Sequence, residues 1–330
     1  MTAVRWGILG TGRMAETVAK EFAALRAEGI DLAGVASRST DKAHAFAGRH
    51  GIPKPFGDYA KLAADPGIDA IYIATPHTEH AGNMLSAIAG GKAVLCEKPF
   101  TVNARQARIV IDAARSRGTF LMEAMWTRFL PAVSALRELI ASGTIGRVQM
   151  IVGGGAFLPD RTQAHYLLDK SLAGGALLDA GVYLVSMASM LLGTPTRSQI
   201  AGSLGPSGVD EHDAMVFEHA GGAMSLLYIS LRTSRAPDLE ILGDTGRIHV
   251  AAPIFRPTRL TVATTDGKSS VHDYPIAGSG YGYQIREVSE GLRAGRRESA
   301  VMPLAESLSI VETMDRLRGQ MGLRYDGEQG

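Results

Sequence analysis

The chain has 330 residues, of which 45% are hydrophobic and 20% charged. That length exceeds the usual domain of about 100 to 200 residues, so two domains are expected, and the composition excludes a disordered or fibrous chain. Lys plus Arg (34) balances Asp plus Glu (33) to a net charge of +1, which argues against nucleic-acid and membrane-surface partners.

The first third alternates short apolar runs with helical patterns. Val4 to Leu9 predicts a strand, and its early glycines and lack of a basic leader exclude a signal peptide. Met14 to Ala27 predicts a helix, Leu32 to Ala36 a strand and Asp41 to Arg49 a helix. Asp69 to Ala74 and Ala93 to Cys96 predict strands around a helix at His80 to Ala89; Asn103 to Ser116 is helical and Thr119 to Glu123 extended. Such alternation predicts a doubly wound parallel sheet.

After about residue 124 the rhythm changes. A helix at Ala132 to Ala141 and a strand at Val148 to Gly153 precede a helix at Asp179 to Leu192. Strands follow at Gln199 to Gly202, Ala214 to Glu218, Met224 to Ser230, Asp238 to Leu242, Arg247 to Val250 and Arg259 to Ala263. Turns such as Ala220-Gly221-Gly222 and Asp266-Gly267 predict a mostly antiparallel sheet. The expected division is residues 1–124, a dinucleotide-binding domain, and residues 125–330, a substrate-binding and oligomerisation domain. The final helix, Leu304 to Arg318, is expected to pack back on the first.

The single Cys96 allows no intramolecular disulfide, and no Cys/His cluster has zinc-site spacing, so no metal is expected. The longest uncharged run, Ala180 to Thr196, contains Ser186, Ser189 and Pro195 and falls short of the roughly 20 apolar residues a bilayer needs. A cytoplasmic protein is expected.

Gly10-Thr11-Gly12-Arg13-Met14-Ala15 follows a strand and opens a helix. Gly10 permits a tight turn, Gly12 lets a pyrophosphate approach bare backbone, and Ala15 allows close packing. The phosphates rest on a helix N-terminus, where N–H groups and the dipole favour an anion. The next strand ends Ser37-Arg38-Ser39, then Lys42, with no acid to hold a ribose 2′-hydroxyl. Arg38 and Lys42 suit a 2′-phosphate, favouring NADP over NAD; the alternative is a solvated helix entry.

Glu97-Lys98-Pro99 ends a strand where a parallel sheet binds ligand. Thr75-Pro76-His77-Thr78-Glu79-His80 ends the preceding strand, and His77 and His80 are candidates either for cofactor contact or for structural roles. Asp179 and Tyr183 stand four apart, so on a helix they share one face. Oxidising an alcohol requires removal of its hydroxyl proton, and a neighbouring ammonium lowers a phenol's pKa. Tyr183 is therefore assigned as acid/base, Lys98 as its electrostatic partner and Asp179 as the orienting group. Lys98 as proton carrier, or Tyr183 as a packed core aromatic, are the alternatives. Trp126 and Phe157 are candidates for an apolar substrate wall and Arg128 for hydroxyl or cofactor contact, and Arg161 to Lys170 is a further candidate substrate segment.

The ordered set Gly10-x-Gly12-x-x-Ala15, Glu97-Lys98-Pro99 and Gly174-Gly175-Ala176-Leu177-Leu178-Asp179-Ala180-Gly181-Val182-Tyr183 resembles the Gfo/Idh/MocA oxidoreductase family from Trp6 to the final helix. The resemblance implies a Rossmann domain followed by an α/β domain whose open sheet makes a homodimer or homotetramer. It places Lys98 near the nicotinamide and the substrate hydroxyl; Glu97, Trp126 and Arg128 are further candidates for cofactor contact. Many members have His where Tyr183 stands; a diol- and aldose-oxidising branch has Tyr. An NADP-dependent oxidoreductase acting on a small polyol, aldose or trans-dihydrodiol is expected. The alternatives are a reductase of sugar ketones or aldehydes, a catalytically silent sugar sensor, and a glycosidase with tightly held NAD, against which Ser37-Arg38 speaks.

Overall fold

A computed structural model describes residues 3–160, 165–326 and 328. The chain forms two compact units, Met1–Trp126 with Ala277–Leu308, and Thr127–Ile276 with Ser309–Gly330.

The first unit is built on six parallel strands: β1 (Val4–Leu9), β2 (Ile30–Ala36), β3 (Lys54–Phe56), β4 (Ala70–Ile73), β5 (Ala93–Glu97) and β6 (Leu121–Ala124). Their spatial order is β3-β2-β1-β4-β5-β6, the doubly wound arrangement expected. β4, β5 and β6 are buried at every position, as strands covered on both faces must be. The helices α1 (Arg13–Leu25), α2 (Thr40–His50), α3 (Tyr59–Ala64), α4 (His80–Ala89) and α5 (Ala104–Arg117) connect them. Local chemistry sets their ends: Ser39, Asp58 and Asn103 accept first-turn N–H bonds, and Gly51 and Gly118 close α2 and α5 in the left-handed region. β3 and α3 carry no periodic signature, since β3 is only Lys-Pro-Phe.

The division departs from a contiguous 1–124 and 125–330 in one respect. Helix α8 (Gly282–Arg293) belongs to the first unit, burying Ile285 and Val288. Ser289 Oγ accepts the Trp6 indole N–H at 3.1 Å, and Arg286 pairs with Glu28 at the end of α1. The glycines at 280, 282 and 291 interrupt the pattern from which such a helix is read.

The second unit contains α6 (Pro131–Ala141), β7 (Val148–Ala156), a π-helical turn (Leu177–Gly181) running into α7 (Val182–Leu192), and strands β8 (Arg197–Leu204) to β14. Its remaining strands are β9 (Asp210–Glu218), β10 (Met224–Ser230), β11 (Arg235–Gly243), β12 (Gly246–Val250), β13 (Arg259–Thr264) and β14 (Ser269–Asp273). The sheet order is β14-β13-β12-β11-β7-β10-β9-β8, antiparallel except where β10 pairs with β7. Buried and exposed residues alternate along β9, the pattern of a sheet with one open face. Helix α9 (Leu304–Gln320) contributes its start to the first unit and its remainder to the second. One helical stretch, Lys170–Leu192, has the length and hydropathy of a membrane span, and 67% of its apolar window is buried in the protein.

Candidate active site

In the first unit the ends of β1, β2 and β4 are stitched together. Gly10 N–H donates to Ala36 O and Ala74 N–H to Leu9 O, both at 2.9 Å. Gly10 has φ +105°, and a Cβ there would lie 2.6 Å from Ala74 O, so only glycine fits this turn. The turn sits between β1 and β4, where strand order reverses and open α/β sheets bind ligand. Gly12 caps α1 without a side chain, and a Cβ on it would meet nothing within 4 Å. The space beside it and the first N–H groups of α1 fit a pyrophosphate, flanked by Thr11, Arg13 and Met14. Buried Ala15 packs the helix down.

At the end of β2, Ser37 is buried; its Oγ lies 3.4 Å from both Thr11 Oγ1 and Ser39 N. Its hydroxyl thus braces the turn. Arg38 and Lys42 are exposed, leaving two cations beside a strand end that has no acid.

The end of β4 divides the candidates. His80 is fully buried, with Nδ1 2.9 Å from Pro99 O and Nε2 3.1 Å from Thr75 O. Burial, and then His77, lower its pKa to about 4, so the ring is neutral and donates one N–H to a carbonyl. His80 therefore ties the β4 and β5 loops together and is not placed to touch a cofactor. Thr75 is likewise buried, its Oγ1 accepting from Asn83 at 3.0 Å. Pro76 is exposed and His77 half-buried.

At the end of β5, Glu97 is 5% exposed and accepts hydrogen bonds from the Tyr72 hydroxyl and from Lys98 N–H. Burial and the Glu97 charge push the Tyr72 phenol well up. Glu97 is thus part of the strand-end network. Lys98 is half-buried, and the Lys98–Pro99 bond is cis. Trp126 is buried and stacks on Tyr281, with centroids 4.2 Å apart. Glu21 of α1 holds that Tyr281 loop, accepting from Ser279 N–H, Ser279 Oγ and Gly282 N–H at 2.7 to 3.0 Å. Tyr281 went unnoticed in sequence; its setting, Gly280-Tyr281-Gly282, was the available signal.

In the second unit the Gly174-to-Tyr183 segment is not a plain α-helix. Leu177–Gly181 is a π-helical turn that becomes α-helical at Val182; such turns recur at functional sites. Asp179 lies in the π turn and Tyr183 just beyond it. Across residues 173–189 every residue is buried except Asp179, Ala180 and Tyr183. Both candidate groups thus keep partial access to solvent on a stretch whose other residues, Ala180 apart, are buried. The Tyr183 ring lies 5.9 Å from that of Phe255, a second aromatic the sequence did not single out.

Arg128 is 2% exposed; its Nε donates to Ser186 Oγ at 2.9 Å and its Nη2 to Ser186 O at 2.7 Å. It braces α7. Phe157 is half-buried just past β7, its N–H bonded to Ser230 O at 3.0 Å. Of Arg161 to Lys170, residues 161–164 lie outside the described residues. Asp169 caps the turn that follows, accepting from Ser171 N–H at 2.9 Å.

Two family models match the chain: an oxidoreductase family with an NAD-binding Rossmann fold, over residues 4–125, and the GFO/IDH/MocA C-terminal domain, over residues 133–249. The chain belongs to the Gfo/Idh/MocA family and is an NAD(P)-dependent dehydrogenase or reductase. It is 34% identical to the trans-1,2-dihydrobenzene-1,2-diol dehydrogenases of Bos taurus and Homo sapiens and 35% identical to that of Mus musculus, over 98% of this chain and of each relative. Among solved structures it is similar to a levoglucosan dehydrogenase in complex with NADH and levoglucosan (TM-score 0.89, 21% identity, 97% of this chain and 98% of the other). It is similar also to KijD10, a 3-ketoreductase from Actinomadura kijaniata in complex with NADP and TDP-benzene (TM-score 0.86, 23% identity, the same coverage).

Proposed function

We propose that this enzyme uses NADP to oxidise a CH–OH group of a small polyol, aldose or trans-dihydrodiol. The observation that carries the reading is that Asp179 and Tyr183, both half-buried, are the ionisable side chains on the otherwise buried run 173–189 that keep access to solvent, with Ala180 between them. A side chain that can ionise and keeps such access on a packed helix is suited to exchange a proton with a ligand. The names of the mammalian relatives support a diol as substrate class.

Gly10, Thr11, Gly12, Arg13 and Met14 would hold the cofactor's pyrophosphate, and Arg38 with Lys42 its 2′-phosphate. Pro76 and His77 border the same strand ends. The bound nicotinamide supplies the hydride acceptor. Tyr183 takes the substrate's hydroxyl proton, Asp179 orients that phenol, and Lys98 supplies positive charge that favours the ionised oxygen. Phe157, half-buried, would offer apolar surface to the substrate's carbon skeleton, and Trp126, 3% exposed and stacked on Tyr281, would support its site from within. The exposed Leu226, on β10 of the open sheet, supports self-association as a dimer or tetramer through that face.

Nicotinamide absorbance followed with NADP and with NAD across aldoses, ketoses and trans-diols tests the reading. Turnover with NADP is expected, and Arg38→Glu should weaken NADP use at least about tenfold while sparing NAD. Tight NADP binding without turnover of any substrate, in either direction, would replace the enzyme reading with a sensor.

A further inference from the structure

Beneath the π turn lies a pair of carboxyl groups that the reaction does not use. Asp210 and Asp213, on β9, are 0% and 1% exposed. Asp210 Oδ2 accepts the Leu177 N–H at 2.6 Å, where the π turn begins. Gly175, with φ +124°, passes so close that a Cβ on it would lie 2.1 Å from Asp210 Oδ1 and 3.2 Å from the Tyr325 hydroxyl oxygen. Tyr325 donates to Gly174 O at 2.5 Å. The backbone leading to Asp179 and Tyr183 is therefore clamped from below by one carboxylate and one phenol.

Asp213 lies close to Asp210 on the same strand, and Asp210 Oδ1 and both oxygens of Asp213 are buried without a hydrogen-bond donor among the described residues. Two ionised carboxylates have only acceptors to offer each other, and with no other donor for these buried oxygens one of the two keeps its proton. The surroundings say which. Burial raises Asp210 as well, but the Leu177 N–H and the Arg318 guanidinium oppose that rise and favour charge on Asp210 over Asp213. Asp213 packs against the backbone of Gly202 and the Met321 thioether, and burial together with the Asp210 charge pushes it up to about 9. Charged and titratable groups near the pair include Tyr325, whose phenol is held neutral by burial, and Glu328 and Asp315, both paired with Arg318; between them on β9, Glu211 pairs with Arg232 and His212 bonds Ser230 Oγ.

We propose that Asp210 and Asp213 are positioning residues: one proton shared between their carboxyl groups holds Asp210 on the Leu177 N–H and fixes the turn from which Asp179 and Tyr183 project. Its consequence for catalysis rests on the function proposed above. Loss of the proton places two like charges in a buried site and loosens the turn.

The test uses the purified full chain, with Asp213→Asn, Asp213→Ala and Asp210→Asn variants. The amide introduced by Asp213→Asn can still donate to Asp210 but does not titrate. In wild type, infrared spectra at about pH 7 should show a protonated carboxyl stretch that vanishes near the alkaline value and is missing from Asp213→Asn. Hydrogen exchange of the peptide spanning residues 174–183 should be slow in wild type and Asp213→Asn and faster in Asp210→Asn. In turnover, Asp213→Asn should keep kcat within about twofold and lose the alkaline fall of wild type. Asp213→Ala should lower kcat about tenfold or more with the cofactor KM unchanged. A wild type with no protonated carboxyl at neutral pH, or an Asp213→Asn alkaline profile identical to wild type, overturns the proposal. The infrared and exchange readouts need no substrate, so they separate its failure from failure of the dehydrogenase reading. Should Asp210→Asn not fold, Asp213→Asn alone decides.

Discussion

Lys98 and Tyr183 are held by different means. Lys98 follows a strand end tied down by Glu97, Tyr72 and the Glu123 contact to Phe100 N–H at 3.0 Å. Tyr183 is carried by a buried helix braced by Arg128. If both act on the same hydroxyl proton, Lys98→Met and Tyr183→Phe should each lower kcat by about 10²- to 10⁴-fold. The double variant should be little worse than the poorer single one, because groups acting as a unit are not additive. Steady-state rates measure this, and fully multiplicative losses would show independent roles. Sequence chemistry singled out these two residues, and both side chains are partly accessible. It left His80 open between cofactor contact and a structural role and did not foresee the internal bonds of Glu97 and Arg128, because a residue's polarity does not reveal whether its hydrogen bonds are already made inside the fold.

The two glycines of the dinucleotide turn are separated by what surrounds them. Gly10 combines positive φ with a clash against Ala74 O, whereas a methyl on Gly12, at φ −84°, meets open space. Gly10→Ala should therefore lower the melting temperature, since strain and overpacking cost about 1 to 3 kcal/mol. Gly12→Ala should leave stability within about 1 kcal/mol yet weaken NADP binding, as scanning calorimetry and fluorescence titration would report. Equal stability loss in both would show that Gly12 serves the fold instead. At this scale most helices and strands were legible from periodicity. The π turn was not, because Asp179 and Tyr183 keep the same spacing in either helix; α8 was missed because glycines break its apolar pattern.

Stability of the whole chain should depend on pH in a calculable direction. His80 has its folded pKa lowered to about 4 from an ordinary value of 6.5. The unfolded chain thus binds a proton that the native protein refuses, and stability falls as pH drops from about 6.5 to about 4, by roughly 3 kcal/mol. Glu16 and Glu28, held below the usual carboxylate range by hydrogen bonds from Arg49 and Arg286, lose their contribution only at lower pH. Urea midpoints across that window should fall in wild type and flatten in His80→Gln; an unchanged slope would show that His80 is not the titrating group. Asp213, raised instead, costs stability increasingly as pH rises towards 9.

Alternating apolar runs and the Gly10-x-Gly12 turn determined by themselves that this chain makes a doubly wound nucleotide-binding sheet followed by a mostly antiparallel one. Those signals are local, set by side-chain period and by the backbone freedom of glycine. Tertiary structure alone decided which polar residues are spent inside the fold. Whether Glu97 meets Tyr72, Asp210 meets Leu177 N–H or Tyr281 lies on Trp126 depends on contacts between residues distant in sequence, and no local pattern encodes the burial that makes those partners obligatory.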